Sequence, residues 1–293
     1  MKQVFLYAVT VLIWGSTWIA IKFQLGQVDP MVSVIYRFGL AGALLLFFCR
    51  IRRLTLRFSF KEHFFMAMVG FFLFSMNYWL IYRAEAHLTS GLMAVIFSSL
   101  IFFNIANNAL FLGAAIDLKM VAGALAGILG ICLIFMPEIQ GFSPGDKGMT
   151  GIGLGVASVL LSSFGNIVSA RNTREKIPII QANAFGMTYG TLTLTLIALC
   201  LGKDFGVSFS LSYTTSLVFL SVFGSIVAFG TYLTLVGSLG PDKASYAIMV
   251  VPVVALVISS FVENYAWTLS GITGLGLVLG GNFLALWKRS GQH

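Results

Sequence analysis

Charge is what this sequence has least of. Only 10% of its 293 residues are Asp, Glu, Lys or Arg, against about 25% in soluble domains. Acidic groups are the scarcer sign, 10 against 18 Lys and Arg. Cysteine is rare too: Cys49, Cys132 and Cys200 are odd in number, sit in apolar runs and have no paired spacing, so neither a disulfide framework nor a metal site is expected. Of the three histidines, His63 and His87 stand at the ends of apolar blocks and His293 is the last residue. No Asp falls inside an apolar block. The Ser–His pair, the two carboxylates or the His/Glu metal cluster that an intramembrane enzyme needs are therefore missing. No Gly-x-x-x-x-Gly-Lys-Ser run is present to cradle a nucleotide phosphate. These absences exclude a water-soluble enzyme, a nucleic-acid module and a disulfide-stapled secreted protein. They also argue against a receptor, since no soluble signalling domain is encoded. No catalytic residue, metal or cofactor is expected.

What the chain has is grease: 58% hydrophobic residues and a mean hydropathy of +0.94. The apolar residues come in ten blocks, at about 4–22, 32–49, 64–82, 88–113, 118–136, 150–170, 179–201, 215–236, 244–262 and 269–287. A block of 18 or more apolar residues can span a bilayer core. Helices are the required form, because hydrocarbon offers the backbone no hydrogen-bond partner. A transmembrane barrel would show shorter alternating segments, and none occur. The first block carries Trp14 and Trp18 and lacks a small-x-small cleavage site before Lys22, so it reads as a helix and not a signal peptide.

The net charge of +8 is explained by position. With both termini on the cytoplasmic side, thirteen Lys and Arg fall in inner segments, at residues 2, 50–61, 119, 171–176, 243 and 288–289. Only Lys22, Arg83, Lys147 and Lys203 fall outside, and Arg37 lies within the second block. That asymmetry is the positive-inside pattern of a cytoplasmic (inner) membrane protein with an even number of spans.

An internal repeat divides the chain. A shift of 154 residues lays Gly70 on Gly224 and Tyr78 on Tyr232. Earlier in each half Trp14-Gly15 falls on Phe164-Gly165, and later Gly123 matches Gly271. The expected fold is all-α integral membrane, with ten transmembrane helices as two inverted five-helix repeats over 1–136 and 150–288. Five being odd, the halves enter the membrane in opposite senses, an arrangement that puts the solute site of secondary transporters between them near the midplane.

Polar residues within the blocks need a reason, since each is costly in lipid. Asn77, Tyr78 and Tyr82 stand in the third block, Ser98 and Asn104 in the fourth, Asn166 and Asn183 in the sixth and seventh, and Tyr232 and Tyr246 in the eighth and ninth. With Trp14, which lies mid-span and away from the interfacial belts where Trp gathers, they are candidates to line a solute cavity. Each could instead bond two packed helices together. Arg37 either snorkels outward or anchors a solute carboxylate or a helix end. Glu263 either caps the next helix or couples a proton. Pro252 removes one helical hydrogen bond and should kink its helix. Gly123-x-x-x-Gly127 and Gly276-x-x-x-Gly280 allow close helix packing or a weak homodimer face.

Trp14-Gly15-Ser16 with Lys22, Tyr36-Arg37-Phe38, Gly240-Pro241 with Ala244, Pro252-Val253, Glu263 and Gly271 together resemble the drug/metabolite transporter superfamily, EamA type. The likeness covers nearly the whole chain. The first half departs from the second: Ser98 stands opposite Pro252, and no acidic residue stands opposite Glu263. The resemblance implies a secondary transporter that exports amino acids or similar amphiphilic solutes by alternating access. Multidrug efflux, or metabolite uptake and exchange, are the alternatives on the same fold. The expected partners are a small-molecule solute and the lipid bilayer, with no ATPase and no nucleic acid.

Overall fold

The computed structural model describes residues 2–24, 26–88, 93, 96–141, 145–262 and 268–286. Among them every regular element is helical. We number the principal helices α1 Lys2–Lys22, α2 Pro30–Ile51, α3 Phe60–Glu85, α4 Ile96–Leu112, α5 Leu118–Ile134, α6 Asp146–Arg174, α7 Ile179–Cys200, α8 Leu211–Leu239, α9 Tyr246–Val262 and α10 Leu269–Leu286. Short helical turns cover Met136–Gly141 and Pro241–Ala244. Among the described residues five helices, α2, α3, α6, α7 and α8, are long and apolar enough to cross a membrane, while α4, α5 and α10 are shorter apolar helices.

Four helices begin where a polar side chain satisfies a free N–H group. Asp29 accepts from Met31 N at 2.8 Å ahead of Pro30, whose fixed φ suits the first helical position. Ser59 and Glu62 form a capping box at the start of α3, and Asp117 and Ser210 cap α5 and α8. The Ser59 and Ser210 caps lie outside the apolar runs, so α3 and α8 extend several residues past the blocks at 64–82 and 215–236; α6 also extends past 150–170, without a side-chain cap at its start. The stretch 137–148, between the fifth and sixth apolar blocks, is partly helical: Met136–Gly141 forms a turn and α6 already starts at Asp146.

Two of the long helices are not regular α-helices throughout. α3 widens to a π-helix over Gly70–Met76, and α8 does so over Leu220–Val227. Such segments leave some backbone groups without the usual i−4 partner and often mark functional sites.

Polarity runs opposite to that of a water-soluble protein. Phe60, Leu110, Leu192, Leu196 and Phe283 are exposed, whereas Asn77, Asn104, Asn166 and Asn183 are buried. The largest core cluster joins Phe38, Phe74, Leu100, Val159, Leu194, Leu220, Phe229 and Tyr232. Around it α2 packs on α7, α1 on α8 and α9, and α6 on α3 and α4.

α5 and α10 cross backbone to backbone. A Cβ on Gly123 would meet the Gly281 carbonyl oxygen at 2.6 Å, and one on Gly130 the Gly274 oxygen at 2.5 Å. The seam thus uses Gly274 and Gly281. Gly276 and Gly280, expected to pack, face open space: a Cβ on either would meet nothing within 4 Å. The helical phase decides this, because residues 274 and 281 lie two turns apart on one face and 276 and 280 lie on another. Gly130→Ala should therefore destabilise the fold by roughly 1–3 kcal/mol through overpacking, and Gly280→Ala should not. Thermal unfolding in detergent checks this; equal melting temperatures would remove the seam as a determinant of stability.

Candidate functional site

A cavity of about 90 Å³ lies among seven helices. α1 contributes Trp14, Thr17 and Ile21; α2 contributes Arg37; α3 contributes Leu73, Asn77, Tyr78 and Ile81. Phe97 and Leu100 come from α4, Ser162 and Asn166 from α6, and Phe229 and Tyr232 from α8. A seventh helix, α9, closes it with Ile248 and Val251. α5, α7 and α10 supply none of the lining.

The π-helical segment of α8 holds two of these side chains in place. The Gly224 carbonyl accepts a hydrogen bond from Trp14 Nε1 at 3.1 Å, and Ser225 Oγ accepts from Arg37 Nε at 2.9 Å. A Cβ at Gly224 would be tight, 3.2 Å from Arg37 Nη2 and 3.0 Å from Thr17 Cγ2, so either side chain would have to give by a few tenths of an ångström. Trp14 also packs edge-on against Phe229, with ring centroids 5.0 Å apart, and tilts against Tyr232 at 4.9 Å. Arg37 is only 1% exposed, so it does not snorkel outward. Its guanidinium carbon lies 4.8 Å from the Tyr78 ring centroid and 5.2 Å from that of Phe38, a cation–π arrangement on two rings. No carboxylate among the described residues pairs with it.

Six of the residues singled out in the sequence meet at this cavity: Trp14, Arg37, Asn77, Tyr78, Asn166 and Tyr232. The others lie elsewhere. Tyr82 is buried outside the lining and donates to Gln24 Oε1 at 3.2 Å. Ser98 is buried on α4, also outside the lining. Asn183 is buried on α7, which contributes nothing to the cavity. Tyr246 donates its hydroxyl to the Met120 carbonyl and so ties α9 to α5. Pro252 sits inside α9 next to Val251, and it deprives the Ile248 carbonyl of its helical donor. Glu263 lies outside the described residues.

Asn104 has a different position again. Its Nδ2 donates to the Pro241 carbonyl at 3.1 Å, and its Oδ1 lies 3.5 Å from Asn166 Nδ2, which also donates to Tyr232 Oη at 3.0 Å. Pro241 lines a second, polar cavity with Asn108, Asp117, Arg174, Asp242 and Lys243. Asn104 thus joins a residue of the first cavity to a residue of the second. Behind it, Asn107 Nδ2 donates to Ser163 Oγ at 2.8 Å between α4 and α6.

Sequence reading missed Thr17, Ile21, Leu73, Ile81 and Phe229. A signal for them exists in helical spacing. Thr17 and Ile21 follow Trp14 by three and seven residues, Leu73 and Ile81 flank Asn77 by four, and Phe229 precedes Tyr232 by three, which puts each group on one face.

Residues 1–136 and 149–287 match the EamA-like transporter family, and the chain belongs to it. An uncharacterized transporter of Archaeoglobus fulgidus is 27% identical, over 99% of this chain and 100% of that protein. Protein PagO of Salmonella typhimurium is 22% identical, over 97% and 93%. The uncharacterized inner membrane transporter YedA of Escherichia coli K12 is 26% identical, over 92% and 87%. A solved structure titled only as the crystal structure of a protein superposes with a TM-score of 0.79 at 18% identity, over 97% of this chain and 96% of that one, and shares the fold. The protein is a membrane transporter of small solutes.

The two kinds of position should separate in transport kinetics. Trp14→Ala removes a cavity wall and should raise KM several-fold. Asn104→Ala leaves the wall in place but breaks the link between the cavities, and should change kcat with KM nearly constant. A KM effect from Asn104→Ala equal to that of Trp14→Ala would refute the distinction.

Proposed function

We propose that the protein is a secondary transporter that exports amino acids or similar amphiphilic solutes across the cytoplasmic membrane, with both termini on the cytoplasmic side. The observation that carries this reading is the cavity itself. It is mostly apolar, buried among the helices, and holds a few polar groups that face inward. Ligand sites commonly have that makeup: a hydrophobic wall with a small number of placed polar atoms.

The chain is organised as ten spans in two inverted repeats, 1–136 and 150–288, that rock against each other around the cavity. Several correspondences support this. Tyr78 and Tyr232, matched by the 154-residue shift, both line the cavity. The π-helical segments, Gly70–Met76 in α3 and Leu220–Val227 in α8, overlap in part under the same shift. The equivalent helices α2 and α7 pack together, as do α5 and α10. In such an arrangement each half presents its own version of the same helices to one shared site. The loop charges support the orientation, because an even number of spans with cytoplasmic ends leaves only four Lys or Arg outside.

No nucleotide loop occurs in the sequence, so transport draws on solute or ion gradients and needs no ATP. Purified protein in proteoliposomes, loaded with radiolabelled neutral amino acids, should release them in an ATP-independent manner at rates well above protein-free vesicles. An absence of flux for every amino acid and amphiphile offered would overturn the reading.

A further inference from the structure

The end of the bundle where α2 passes to α3 and α6 passes to α7 carries far more positive than negative charge. Residues 50–64 hold Arg50, Arg52, Arg53, Arg57 and Lys61 against one carboxylate, Glu62. Residues 171–180 hold Arg171, Arg174 and Lys176 against Glu175 alone. Both carboxylates are engaged, Glu62 in the capping box with Ser59 and Glu175 with Arg171 at 3.9 Å. Arg50, Arg52, Arg53, Arg57, Lys61 and Lys176 are exposed. Among the described residues none of these six makes an ion pair or a side-chain hydrogen bond.

The backbone fixes where these cations stand. Between α2 and α3 the chain is extended and its side chains alternate. Leu54 and Leu56 pack on the main core and Phe58 packs with Met66, Ile177 and Ala182, while Arg53, Thr55 and Arg57 are exposed. Phe58 and Ile177 share that small cluster. Arg57 and Lys176, each one residue earlier, are thereby brought to the same end of the molecule.

Two of the six occupy positions where glycine is usual. Arg53 (φ +52°) and Lys176 (φ +61°) take up left-handed backbone just past the ends of α2 and α6. Gly113 after α4 and Gly202 after α7 fill the same kind of position. The closing bonds also correspond: Leu54 N donates to the Cys49 carbonyl, Ile177 N to that of Asn172 and Lys203 N to that of Ala198, each at 2.9 Å. A side chain at such a cap strains the backbone, and Arg53 and Lys176 are the only described residues other than glycine with positive φ. The positive-inside pattern is met by a cation anywhere in a segment, so it does not account for cations at these two caps.

The neighbouring helix ends set the depth of the face. Phe47 and Ile51 of α2 and Phe60 and Phe64 of α3 are exposed, Phe60 by 89%. Arg50, Arg52 and Lys61 lie within about one helical turn of these apolar side chains. That is the level at which hydrocarbon gives way to lipid headgroups.

We propose that this face binds the phosphates of anionic phospholipids, with its guanidinium groups as the principal ligands. A guanidinium presents paired N–H donors that match phosphate oxygens, and exposed cations beside a bilayer surface attract anionic lipid. The proposal goes beyond the transporter reading and holds whatever solute is carried, since it needs only the membrane setting.

The test uses the purified full chain in neutral-detergent micelles, titrated with phosphatidylglycerol or with phosphatidylcholine, and counts bound lipid by native mass spectrometry. Phosphatidylglycerol should bind about tenfold or more tighter than phosphatidylcholine. Arg53→Gly and Lys176→Gly suit the backbone already present, so each removes a cation without harming the fold. Each should weaken phosphatidylglycerol about fivefold and leave phosphatidylcholine unchanged. Neither should lower the melting temperature in lipid-free detergent. Arg57→Gln should lose phosphatidylglycerol to a similar degree, whereas Lys147→Gln, at the other end of α6, should leave both lipids unaffected. Equal binding of the two lipids overturns the proposal, as does parental phosphatidylglycerol binding by Arg53→Gly and Lys176→Gly. Poly-glutamate that binds this face more tightly than phosphatidylglycerol would assign it to an acidic protein instead, and the proposal would fail. Solute flux in proteoliposomes is read separately, so failure here and failure of the transporter reading are told apart.

Discussion

Hydrocarbon forms no hydrogen bonds, so a chain that crosses it must satisfy its polar groups from within, and the arrangement of this protein is ordered by that requirement. Backbone N–H and C=O groups are satisfied in helices, and caps such as Asp29 and Ser59 serve the helix starts. Leucine and phenylalanine side chains line the outside, as at Leu192 and Phe283, and asparagines and serines turn inward. Arg37 is the sharpest instance. Its charge is tolerated because Ser225, Tyr78 and Phe38 hold it by a hydrogen bond and two ring faces.

The π-helical segment of α8 connects this requirement to the site. A regular helix uses its carbonyls internally. Here Gly224 offers its carbonyl to Trp14, and the next residue offers its hydroxyl to Arg37. One short irregular stretch therefore positions the aromatic wall and the cation of the cavity together. The glycine within it keeps the contact with Thr17 and the guanidinium free of crowding, since a Cβ there would press on both. A comparable π segment in α3 ends at Met76, directly before Asn77 and Tyr78. Cavity residues follow closely after both stretches.

Much of this was legible in the residues. The absence of charge within long apolar blocks implied membrane helices, and the motifs around Trp14, Arg37 and Gly240-Pro241 pointed to the transporter family that the whole chain matches. The polar residues worth attention were also identifiable, because polar groups in apolar helices stand out. Which of them share a cavity was not. Asn77 and Asn166 line it, while Asn104 stands one hydrogen bond behind and Asn183 lies on a helix that never reaches it. Tyr232 faces the cavity, yet Tyr246 commits its hydroxyl to the Met120 carbonyl.

The reason lies in what each level of description contains. Hydropathy and charge act over whole segments of roughly 20 residues, the span of a bilayer, so the sequence by itself determined the helical class, the membrane setting and the short list of polar candidates. The facing of a side chain depends on helix rotation and on contacts made far away in the chain, such as Trp14 to Gly224 and Arg37 to Ser225. A single π segment shifts that rotation by a fraction of a turn. Only the tertiary structure decided which polar side chains meet at one cavity, because that depends on which helices pack together and which faces they turn toward each other.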